Sequence, residues 1–493
     1  MEGFRAYSKT LSFGLIFFIL SGVSWAEVRV PRVKESWIFT LEDVSFYARA
    51  EHFPDAHLAF SSDGHYLALG TFTGRVLLFT LKPLKLLWER RIPEGMAKRV
   101  AFSPDSKILY VGEQGPDGCL YAFFTSNGKE YWRFCLAKDL ERGTPPEKGD
   151  IYGIYRQPGI YRLLVLPSGD LLILGIHSWY DKDCRCWRRL SRLYRLTPSG
   201  KLSWTWPERR PAPLTFPYAD TNRDGSLIGL VSTLPSEGDA GSSPFTPETF
   251  YLLDGKGREI WRYRLEPLRP YFDRVSVWES VGISPKGEKA LIGTADGRAI
   301  FLDLFNKKIY KVFSLGAPIK IGEIPVTAHV SYGLFAPDGK AFVVTASSSI
   351  PYGMPLAVNR PAGPHPNANT LFALQPGKVL WRYAVGFHFQ GLATDARGKF
   401  LAVAAGASKR DFERIYQFGV FVFETDSGDL LVYYPTEGPC FFHLALSPSG
   451  RYVALVETPF LTEQELVKGS YRLHVIELNL DELISSKGRR RNR

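Results

Sequence analysis

Side chains that could bind an ion stand at one recurring position in this sequence, directly before a short apolar segment and a polar turn. Two arginines and two histidines around one concavity would attract a carboxylate, phosphate or sulfate. No carboxylate occupies the position, which argues against a metal-assisted hydrolase that uses acidic residues there. The alternative is a water-filled channel with an inert lining. Eight residues occupy this position, one in each repeat, and three of them are Ser280, Gly333 and Gly391. The other five are the candidate ligand-binding residues: His57, Arg99, Arg162, Tyr218 and His443.

A second candidate site is a short acidic segment in which oxygen-bearing side chains alternate along the chain: Asp220, Asn222 and Asp224. With Gly225 next, they match the opening of a calcium-binding loop, where glycine permits a sharp bend. However, Val231 stands at the twelfth position, where an EF-hand carries a bidentate glutamate, and Ile228 stands at the ninth. An Asx turn explains the same residues. Calcium is therefore a possible ligand, and no other cofactor is expected.

Five cysteines are present, and their spacing suggests one disulfide. Cys119 and Cys135 flank a Ser-Asn-Gly turn almost symmetrically, so they would lie opposite each other on two hairpin strands and could form a cross-strand disulfide. Cys184 and Cys186 could form a strained short ring, remain thiols or supply half of a metal site. Cys440 is left over, and we expect a small buried hydrophobic residue rather than a nucleophile.

Motifs of the common catalytic classes are missing from the sequence. It contains no Gly-x-Ser-x-Gly, no His-Glu-x-x-His and no Cys-x-x-Cys-His. These patterns mark serine hydrolases, zinc proteases and attached haem, respectively. Their absence favours a non-catalytic protein that binds a partner, although it leaves the question of enzyme activity open.

The elements that must position these residues repeat along the chain as an apolar strand, a polar turn and a second apolar strand. The turns lie 42 to 63 residues apart, which is typical of stacked units that cannot bury their apolar faces alone. One unit, 280–315, reads as four strands with β-branched or aromatic residues between turns. The eight turn segments are 59–64, 101–106, 164–169, 220–225, 282–287, 334–339, 393–398 and 445–450.

We therefore predict an all-β fold: an eight-bladed β-propeller of four-stranded antiparallel blades over residues 27–484. The last unit reaches only its third strand before the chain ends. The segment Glu35–Glu42 resembles the outermost strands of other units, so we expect it to complete the eighth blade. Pairing the two ends of the chain in this way would leave no exposed sheet edge.

A tryptophan follows a turn glycine by four residues in several units, as in Gly128–Trp132, Gly200–Trp204, Gly257–Trp261 and Gly377–Trp381. We expect these indoles to pack between neighbouring blades. The pattern resembles the repeat of quinoprotein-like (PQQ-type) propellers, and the Ser-Pro-Asp-Gly turns resemble WD40-like bacterial propellers. The resemblance implies architecture, and it makes a quinoprotein-type dehydrogenase the alternative to a binding scaffold. The adjacent Cys-Cys pair of that family's cofactor site is missing here.

Insertions concentrate in the connections between the second and third strands of the units. Strands of a blade alternate in direction, so these connections would emerge on one face with the blade-joining loops. Long loops on a rigid scaffold usually carry binding, which favours a protein partner or a small anionic ligand on this face. Neutral drift of surface loops is the alternative. The inserted segments are 178–189, 232–248, 347–369, 406–418 and 458–470.

The two ends of the sequence indicate export. Residues 1–26 carry basic residues, a short apolar run and a Ser-Trp-Ala cleavage site, as in a secretory signal peptide. The run is too short for a transmembrane helix, so we expect a periplasmic or extracellular protein. The formal net charge is +11, and residues 485–493 form a basic tail that we expect to be disordered, or else to touch anionic lipid. No basic stripe interleaved with aromatics points to nucleic acid.

Overall fold

The computed structural model describes residues 33–41, 56–147, 150, 152–237, 245–351, 363–385, 388–406, 418–440, 444–461 and 467–479. Apart from turns and connections, these residues form almost only β-strands. The predicted signal peptide, the basic tail and His443 lie outside the described residues. One short α-helix, α1 (Ala137–Leu140), and one 3-10 helix (Gly153–Arg156) lie in the connection between the second and third sheets.

The strands form successive sheets, numbered here along the chain, while the first strand, β1 (Val33–Thr40), belongs to the last of them. Sheet 1 contains β2 (Ala56–Phe60), β3 (Tyr66–Thr71), β4 (Arg75–Leu81) and β5 (Leu84–Arg91). Sheet 2 contains β6 (Met96–Phe102), β7 (Ile108–Gln114), β8 (Cys119–Phe124) and β9 (Glu130–Cys135). Sheet 3 contains β10 (Gly159–Val165), β11 (Leu171–Asp181), β12 (Cys186–Leu196) and β13 (Leu202–Trp206). Sheet 4 contains β14 (Ala219–Thr221), β15 (Leu227–Ser232), β16 (Thr249–Asp254) and β17 (Glu259–Arg264).

Sheets 5 to 8 follow the same plan, with two small additions. Sheet 5 contains β18 (Val281–Ile283), β19 (Lys289–Gly293), β20 (Arg298–Asp303) and β21 (Lys308–Ser314). In sheet 6, β22 (Ile319–Ile321) pairs with the start of β23 (Ile324–Phe335), followed by β24 (Ala341–Ser349), β25 (Thr370–Gln375) and β26 (Lys378–Ala384). Sheet 7 contains β27 (Phe389–Thr394), β28 (Phe400–Ala405), β29 (Phe418–Glu424) and β30 (Leu430–Thr436). Sheet 8 contains β31 (Leu444–Leu446) and β32 (Tyr452–Glu457), then the hairpin β33 (Phe460–Leu461) and β34 (Val467–Lys468), and finally β35 (Arg472–Leu478).

Sheets 1 to 7 are antiparallel meanders in which strands adjacent in sequence pair with each other. Sheets 2 and 3 are additionally linked by one residue pair, Gly159 with Gln114. Sheet 8 has the order β31, β32, β35, β1, because the N-terminal strand pairs with β35 from Val33 opposite Leu478 to Thr40 opposite Arg472. The predictions of four-stranded antiparallel sheets and of an N-terminal strand in the last sheet are confirmed.

In sheets 1 and 2, a serine and an aspartate within the turn between the first and second strands close that turn by hydrogen bonds. In sheet 1, the Ser61 hydroxyl donates to Asp63 Oδ1 at 2.6 Å and accepts from the Tyr66 amide at 2.9 Å. Sheet 2 repeats the arrangement with Ser103 and Asp105. These bonds satisfy backbone donors that the turn would otherwise leave without a partner, which explains the recurring Ser-x-Asp pattern.

The hydrophobic core lies between sheets rather than inside any one of them. Among the described residues, each cluster of buried apolar side chains draws its members from two successive sheets. One further cluster joins sheet 8 to sheet 1, with Leu58, Leu77, Ala454 and Val475 among its buried members. The innermost strand of sheet 1, β2, accordingly lies against both β6 of sheet 2 and β31 of sheet 8. No sheet could bury its apolar faces without its neighbours.

Indole–glycine contacts join neighbouring sheets at the outer rim, where the third strand turns into the fourth. Gly128 has φ +66°, and a Cβ added to it would stand 2.7 Å from the Trp88 ring, so only glycine fits against the indole. The Trp88 N–H donates to the Thr125 carbonyl of the same turn at 2.8 Å. The predicted packing of these tryptophans between sheets is confirmed. The same contact recurs for Trp132 with Gly200, Trp204 with Gly257, and Trp381 with Gly428.

Two disulfides are formed. Cys119 and Cys135 are directly paired residues of β8 and β9, as predicted, and their sulfurs are bonded. Cys184 is bonded to Cys186, which is the short-ring alternative. The Cys440 thiol is free and fully buried, as expected, and burial raises its pKa far above the ordinary range.

The two ends of the sheets differ in their connections. The first-to-second turns of all the sheets and the third-to-fourth turns of sheets 1 to 7 are short, whereas second-to-third connections carry long segments, as between β15 and β16 or β24 and β25. Because the strands alternate in direction, these long connections and the sheet-joining loops leave from one end. We call this end the loop face and the opposite end the turn face.

Candidate functional site

A set of charged side chains lies where the innermost strands of sheets 2 to 5 begin, on the loop face, and we call this region the mouth. Arg99 is its first member along the chain. Its guanidinium is buried and donates through Nε to the Tyr161 carbonyl at 2.8 Å and through Nη1 to the Lys98 carbonyl at 2.9 Å. Its Nη2 lies 3.5 Å from Glu279 Oε1. Arg99 belongs to sheet 2 and Glu279 immediately precedes sheet 5, so this ion pair joins two sheets that are not neighbours.

Arg162 of sheet 3 makes a second, tighter group with residues of sheet 4. Its Nε donates to the Ala219 carbonyl at 3.0 Å, and its Nη2 lies 3.3 Å from Asp220 Oδ1. Its guanidinium stacks 4.2 Å above the centre of the Tyr218 ring. Burial raises the pKa of Tyr218 to about 12, so the phenol is a neutral hydrogen-bond donor at physiological pH.

Two carboxylates neutralise the two arginines, which corrects the expectation that the mouth contains none. Asp220 follows the recurring position by two residues and Glu279 precedes it by one, so an alignment of single positions misses both. Burial raises the pKa of Asp220, while Arg162 and the Ile283 amide, 3.0 Å from Oδ2, favour its charged form. The Glu279 side chain is 38% exposed, which makes it the most accessible charge in the group.

Lys98 is a further cation beside the mouth that sequence reasoning did not select. It is buried, donates to Gln114 Oε1 at 2.9 Å and lies 4.4 Å from the centre of the Tyr161 ring. Gln114 in turn donates to the Tyr161 hydroxyl at 2.9 Å. An ammonium held between an amide and an aromatic face is a stable arrangement. The only sequence signal was its place next to Arg99.

The remaining predicted positions do not join the charged group. His57 Nδ1 accepts from the Val100 amide at 3.1 Å, which places this histidine between sheets 1 and 2. The Ser280 hydroxyl donates to the Gly293 carbonyl within its own sheet at 2.7 Å. Gly333 and Gly391 offer no side chain. The structure therefore brings together Arg99, Arg162 and Tyr218 of the predicted set.

The three oxygen-bearing residues of the possible calcium loop face different partners. Asp220 contacts Arg162 and the neighbouring sheet, as described above. Asn222 Oδ1 accepts from the Leu227 amide at 2.9 Å, and Asp224 Oδ1 accepts from the Ser226 amide at 3.0 Å. This geometry matches the Asx-turn alternative. Calcium binding at this segment remains a prediction.

A cleft of about 440 Å³ opens on the loop face close to the mouth. Its lining is mainly apolar and includes Tyr161 and Pro217 beside the mouth, Leu234 on the loop after β15, and Trp187 and Arg189 on β12. Tyr180, Leu234 and Trp278 are exposed on the same face. Large aromatic side chains beside arginine are the composition of protein-binding surfaces.

A second ionic cluster lies in sheet 8 around the fully buried carboxylate of Glu457. Glu457 accepts from His474 Nε2 at 2.8 Å and lies 2.9 Å from an Arg472 nitrogen. His474 Nδ1 lies 3.2 Å from the Tyr434 hydroxyl of sheet 7. Burial raises the pKa of Glu457, but the hydrogen bonds from His474 and Arg472 outweigh it, and the pKa falls below the ordinary value. No solvent reaches this carboxylate, so we interpret the cluster as structural.

Comparison with known proteins identifies the fold. No protein-family model matches the sequence, and no curated protein matches it either. Among solved structures, the Dos1 propeller matches 89% of this chain and 93% of its own, with 10% identity and a TM-score of 0.51. BamB from Moraxella catarrhalis covers 86% of this chain and 96% of its own, with 11% identity and a TM-score of 0.47. The Cps50 (Swd1) propeller from Myceliophteria thermophila covers 91% of this chain and 100% of its own, with 12% identity and a TM-score of 0.42.

The chain has a β-propeller fold. Identities of this size establish the architecture and nothing about activity. The quinoprotein-type repeat expected from the turn-Gly-x-x-x-Trp pattern is supported only at the level of the propeller architecture. In the described part of the chain, no helix combines the length and apolar character needed to cross a bilayer.

Proposed function

We propose that this protein is an exported, non-catalytic propeller of eight blades that binds a protein partner through its loop face. The observation that carries the proposal is the one-sided placement of long connections together with an apolar cleft and exposed aromatics. The turn face has short connections throughout. A rigid scaffold that elaborates one face only is typical of propellers that display a binding surface.

The number of blades rests on the core. The clusters of buried side chains connect each sheet to the next, and the cluster between sheets 8 and 1 supports closure of the ring. Pairing of β1 with β35 supplies the outer strand that the last blade would otherwise lack. Eight four-stranded blades account for the described strands apart from β22 and the β33–β34 hairpin.

Export is supported by the leader-like residues 1–26 and by two disulfides, because disulfides persist in oxidising compartments. The periplasm or the extracellular space is the proposed location. Fractionation of cells that express the full chain, followed by N-terminal sequencing of the mature protein, tests this. We expect an N-terminus at Glu27 in the exported fraction. An intact Met1 in the cytoplasmic fraction would contradict export.

Binding through the loop face is tested by photo-crosslinking in the native cell. A photoreactive residue is placed at Tyr180, Leu234 or Trp278 on the loop face, and at Phe305 on the turn face as the matched control. Phe305 is an aromatic that is 89% exposed, so accessibility alone predicts adducts there too. We expect one discrete adduct from the loop-face positions and none from Phe305. Adducts from Phe305 alone would place the partner on the other face.

A second candidate is a small anion at the mouth, for which Arg99 is the specific observation. An incoming carboxylate, phosphate or sulfate would compete with the exposed Glu279 for the guanidinium of Arg99. Thermal shifts caused by sulfate, phosphate and acetate should be smaller in Arg99→Ala and Arg162→Ala than in wild type. Equal shifts in all three proteins would reject an anion site.

The enzymatic alternative is tested on the same purified protein. A quinoprotein dehydrogenase would carry a quinone chromophore, and the acidic turn at Asp220 would carry stoichiometric calcium if it were a metal site. An absorbance spectrum and a metal analysis of protein isolated from its native compartment therefore suffice. A quinone band would overturn the non-catalytic proposal.

A further inference from the structure

The hairpin of β11 and β12 carries the Cys184–Cys186 disulfide at its tip on the loop face. Each of its strands has eleven residues, whereas the equivalent strands of sheet 2 have seven and six, so the tip reaches further out. Cys184 and Arg185 are exposed, while Cys186 is buried against the hairpin. Cys184 is therefore the cysteine that another molecule can approach.

This disulfide is not needed to close the turn. The strands pair up to Asp181 opposite Cys186, and the Asp181 carboxylate accepts from the Asp183 amide at 2.9 Å. Further down, the Trp187 amide donates to the Glu237 carboxylate at 2.9 Å, which fixes β12 to the neighbouring loop. The hairpin is thus held by hydrogen bonds on both sides of the cross-link.

The two disulfides of the chain differ in what they constrain. Cys119 and Cys135 lie 16 positions apart and join two strands of a sheet, whereas Cys184 and Cys186 lie only 2 positions apart. A cross-link that encloses one residue removes little conformational freedom from the unfolded chain. The Cys184–Cys186 bond therefore contributes little to stability, and its presence calls for another role.

The surroundings of the pair favour reaction at sulfur. Arg185, the residue between the two cysteines, lies in the exposed hairpin turn at φ +51°. Lys182 and Arg185 are exposed cations beside the pair, and positive charge stabilises the thiolate that attacks or leaves in disulfide exchange. Asp183 is also adjacent, and Arg188 is paired with Asp181, whose Oδ2 lies 3.5 Å from its Nε. Exposed disulfides exchange more readily than enclosed ones, and Cys184 is exposed.

A surface for the partner lies beside the tip. Trp187 and Arg189, which follow the disulfide on β12, line the cleft of the loop face. Tyr180, on the opposite strand, is exposed and meets the Trp187 ring edge-on with centroids 5.8 Å apart. A polypeptide segment that lies in this cleft would bring a cysteine of its own to the exposed Cys184.

We propose that Cys184 and Cys186 form a thiol–disulfide exchange site whose substrate is a pair of cysteines on a partner protein. This activity goes beyond the proposed binding role and would replace its non-catalytic part. The proposal rests on the proposed export, because an oxidising compartment maintains the bond. A thiolate of the partner attacks Cys184 Sγ, the bond between the two sulfurs breaks, and Cys186 leaves as a thiolate that takes up a proton. The second thiol of the partner then attacks the mixed disulfide and releases Cys184 as a thiol.

The net reaction transfers two electrons and two protons from the partner dithiol to the Cys184–Cys186 pair. The partner becomes a disulfide, and the pair becomes two thiols. A disulfide on a second protein reoxidises the pair by the same steps in reverse, so no metal or small-molecule oxidant is required.

The test uses the purified mature protein and compares its two disulfides within one molecule. The protein is equilibrated in buffers with rising ratios of reduced to oxidised dithiothreitol, quenched with acid and alkylated, and the thiols are assigned by mass spectrometry. Cys119–Cys135 serves as the internal control. We expect Cys184–Cys186 to be half-reduced at a ratio roughly tenfold lower or less. Reduction of both bonds at one ratio, or of Cys119–Cys135 first, overturns the proposal.

Two single variants test which sulfur is attacked. Cys186→Ser leaves the exposed Cys184 thiol, and Cys184→Ser leaves the Cys186 thiol as the matched control. With oxidised glutathione as the probe, we expect the mixed disulfide to form at least several-fold faster in Cys186→Ser. Equal rates would refute attack at Cys184. Reduced thioredoxin added to wild type tests a protein dithiol, and selective reduction of Cys184–Cys186 is the supporting result, whereas failure to reduce this pair counts against a protein substrate.

These measurements separate this proposal from the proposed function. Exchange is measured on isolated protein, so it does not depend on whether a partner is crosslinked at the loop face in cells. Selective reduction without loop-face adducts would leave the exchange site standing and count against the scaffold. Loop-face adducts together with unselective reduction would support the scaffold and count against the exchange site.

Discussion

The outer rim and the channel mouth are built by the same eight sheets, yet they are organised in opposite ways. At the rim, one contact recurs: an indole of one sheet lies under a turn glycine of the next, as with Trp88 and Gly128. At the mouth, sheets 2 to 5 contribute different groups, and the pair of Arg99 and Glu279 joins sheets that are not neighbours. The repeated contacts at the rim hold neighbouring sheets together, whereas the contacts that differ between sheets, at the mouth, are the ones that could recognise a ligand.

The largest expected effect belongs to the rim. Trp88 is 7% exposed, and its replacement by alanine removes both the buried indole and its bond to the Thr125 carbonyl. We expect Trp88→Ala to lower the free energy of unfolding by about 3–4 kcal/mol. Trp278→Ala is the matched control at the mouth, because that indole is 46% exposed, and we expect a loss below about 1 kcal/mol. Denaturant unfolding measures both losses. Similar losses in the two variants would show that the indole at the rim is no more important for stability than the exposed one.

The next effect isolates the contact between glycine and indole. Gly128 and Gly64 have φ values of +66° and +71°, so alanine at either position carries a similar backbone penalty of about 1 kcal/mol. An added Cβ at Gly128 meets the Trp88 ring at 2.7 Å, whereas at Gly64 it meets nothing within 4 Å. We expect Gly128→Ala to cost about 1–2 kcal/mol more than Gly64→Ala. Equal losses of unfolding free energy would show that the ring moves aside freely.

A smaller effect is expected at the tighter ion pair of the mouth. Asp220→Asn keeps an oxygen for the Ile283 amide but removes the charge that faces Arg162. Both side chains are about three-quarters buried, so we expect a loss of about 1–2 kcal/mol in unfolding free energy. Asp224→Asn is the control, since that residue only caps its own turn in solvent and should change stability by less than about 0.5 kcal/mol. A large loss in Asp224→Asn would instead indicate a ligand held by the acidic turn.

The difference between rim and mouth also explains how far the sequence could be interpreted. The repeat of apolar strands and polar turns predicted the four-stranded sheets, and the turn-Gly-x-x-x-Trp spacing predicted the indole packing, because both patterns are local and repeated. The Cys119–Cys135 bond was predictable for the same reason, because both residues flank one turn. The charge balance of the mouth was not, because Glu279 reaches Arg99 only through the arrangement of sheets 2 and 5 in space. Glu279 lies one residue outside the repeated position, so the repeat pattern does not predict its contact with Arg99.

The smallest effect on stability, and the sharpest on recognition, is expected for Glu279→Gln. The carboxylate is 38% exposed and 3.5 Å from Arg99, so its loss should lower the free energy of unfolding by less than about 0.5 kcal/mol. Removing the competing charge should at the same time strengthen anion binding, because Arg99 would then lack its counter-charge. We expect a larger thermal shift with sulfate in Glu279→Gln than in wild type, with Glu89→Gln on the rim as the control that leaves it unchanged. If sulfate raises the melting temperature equally in all three proteins, Arg99 does not bind anions, and its role is structural, like that of the tryptophans.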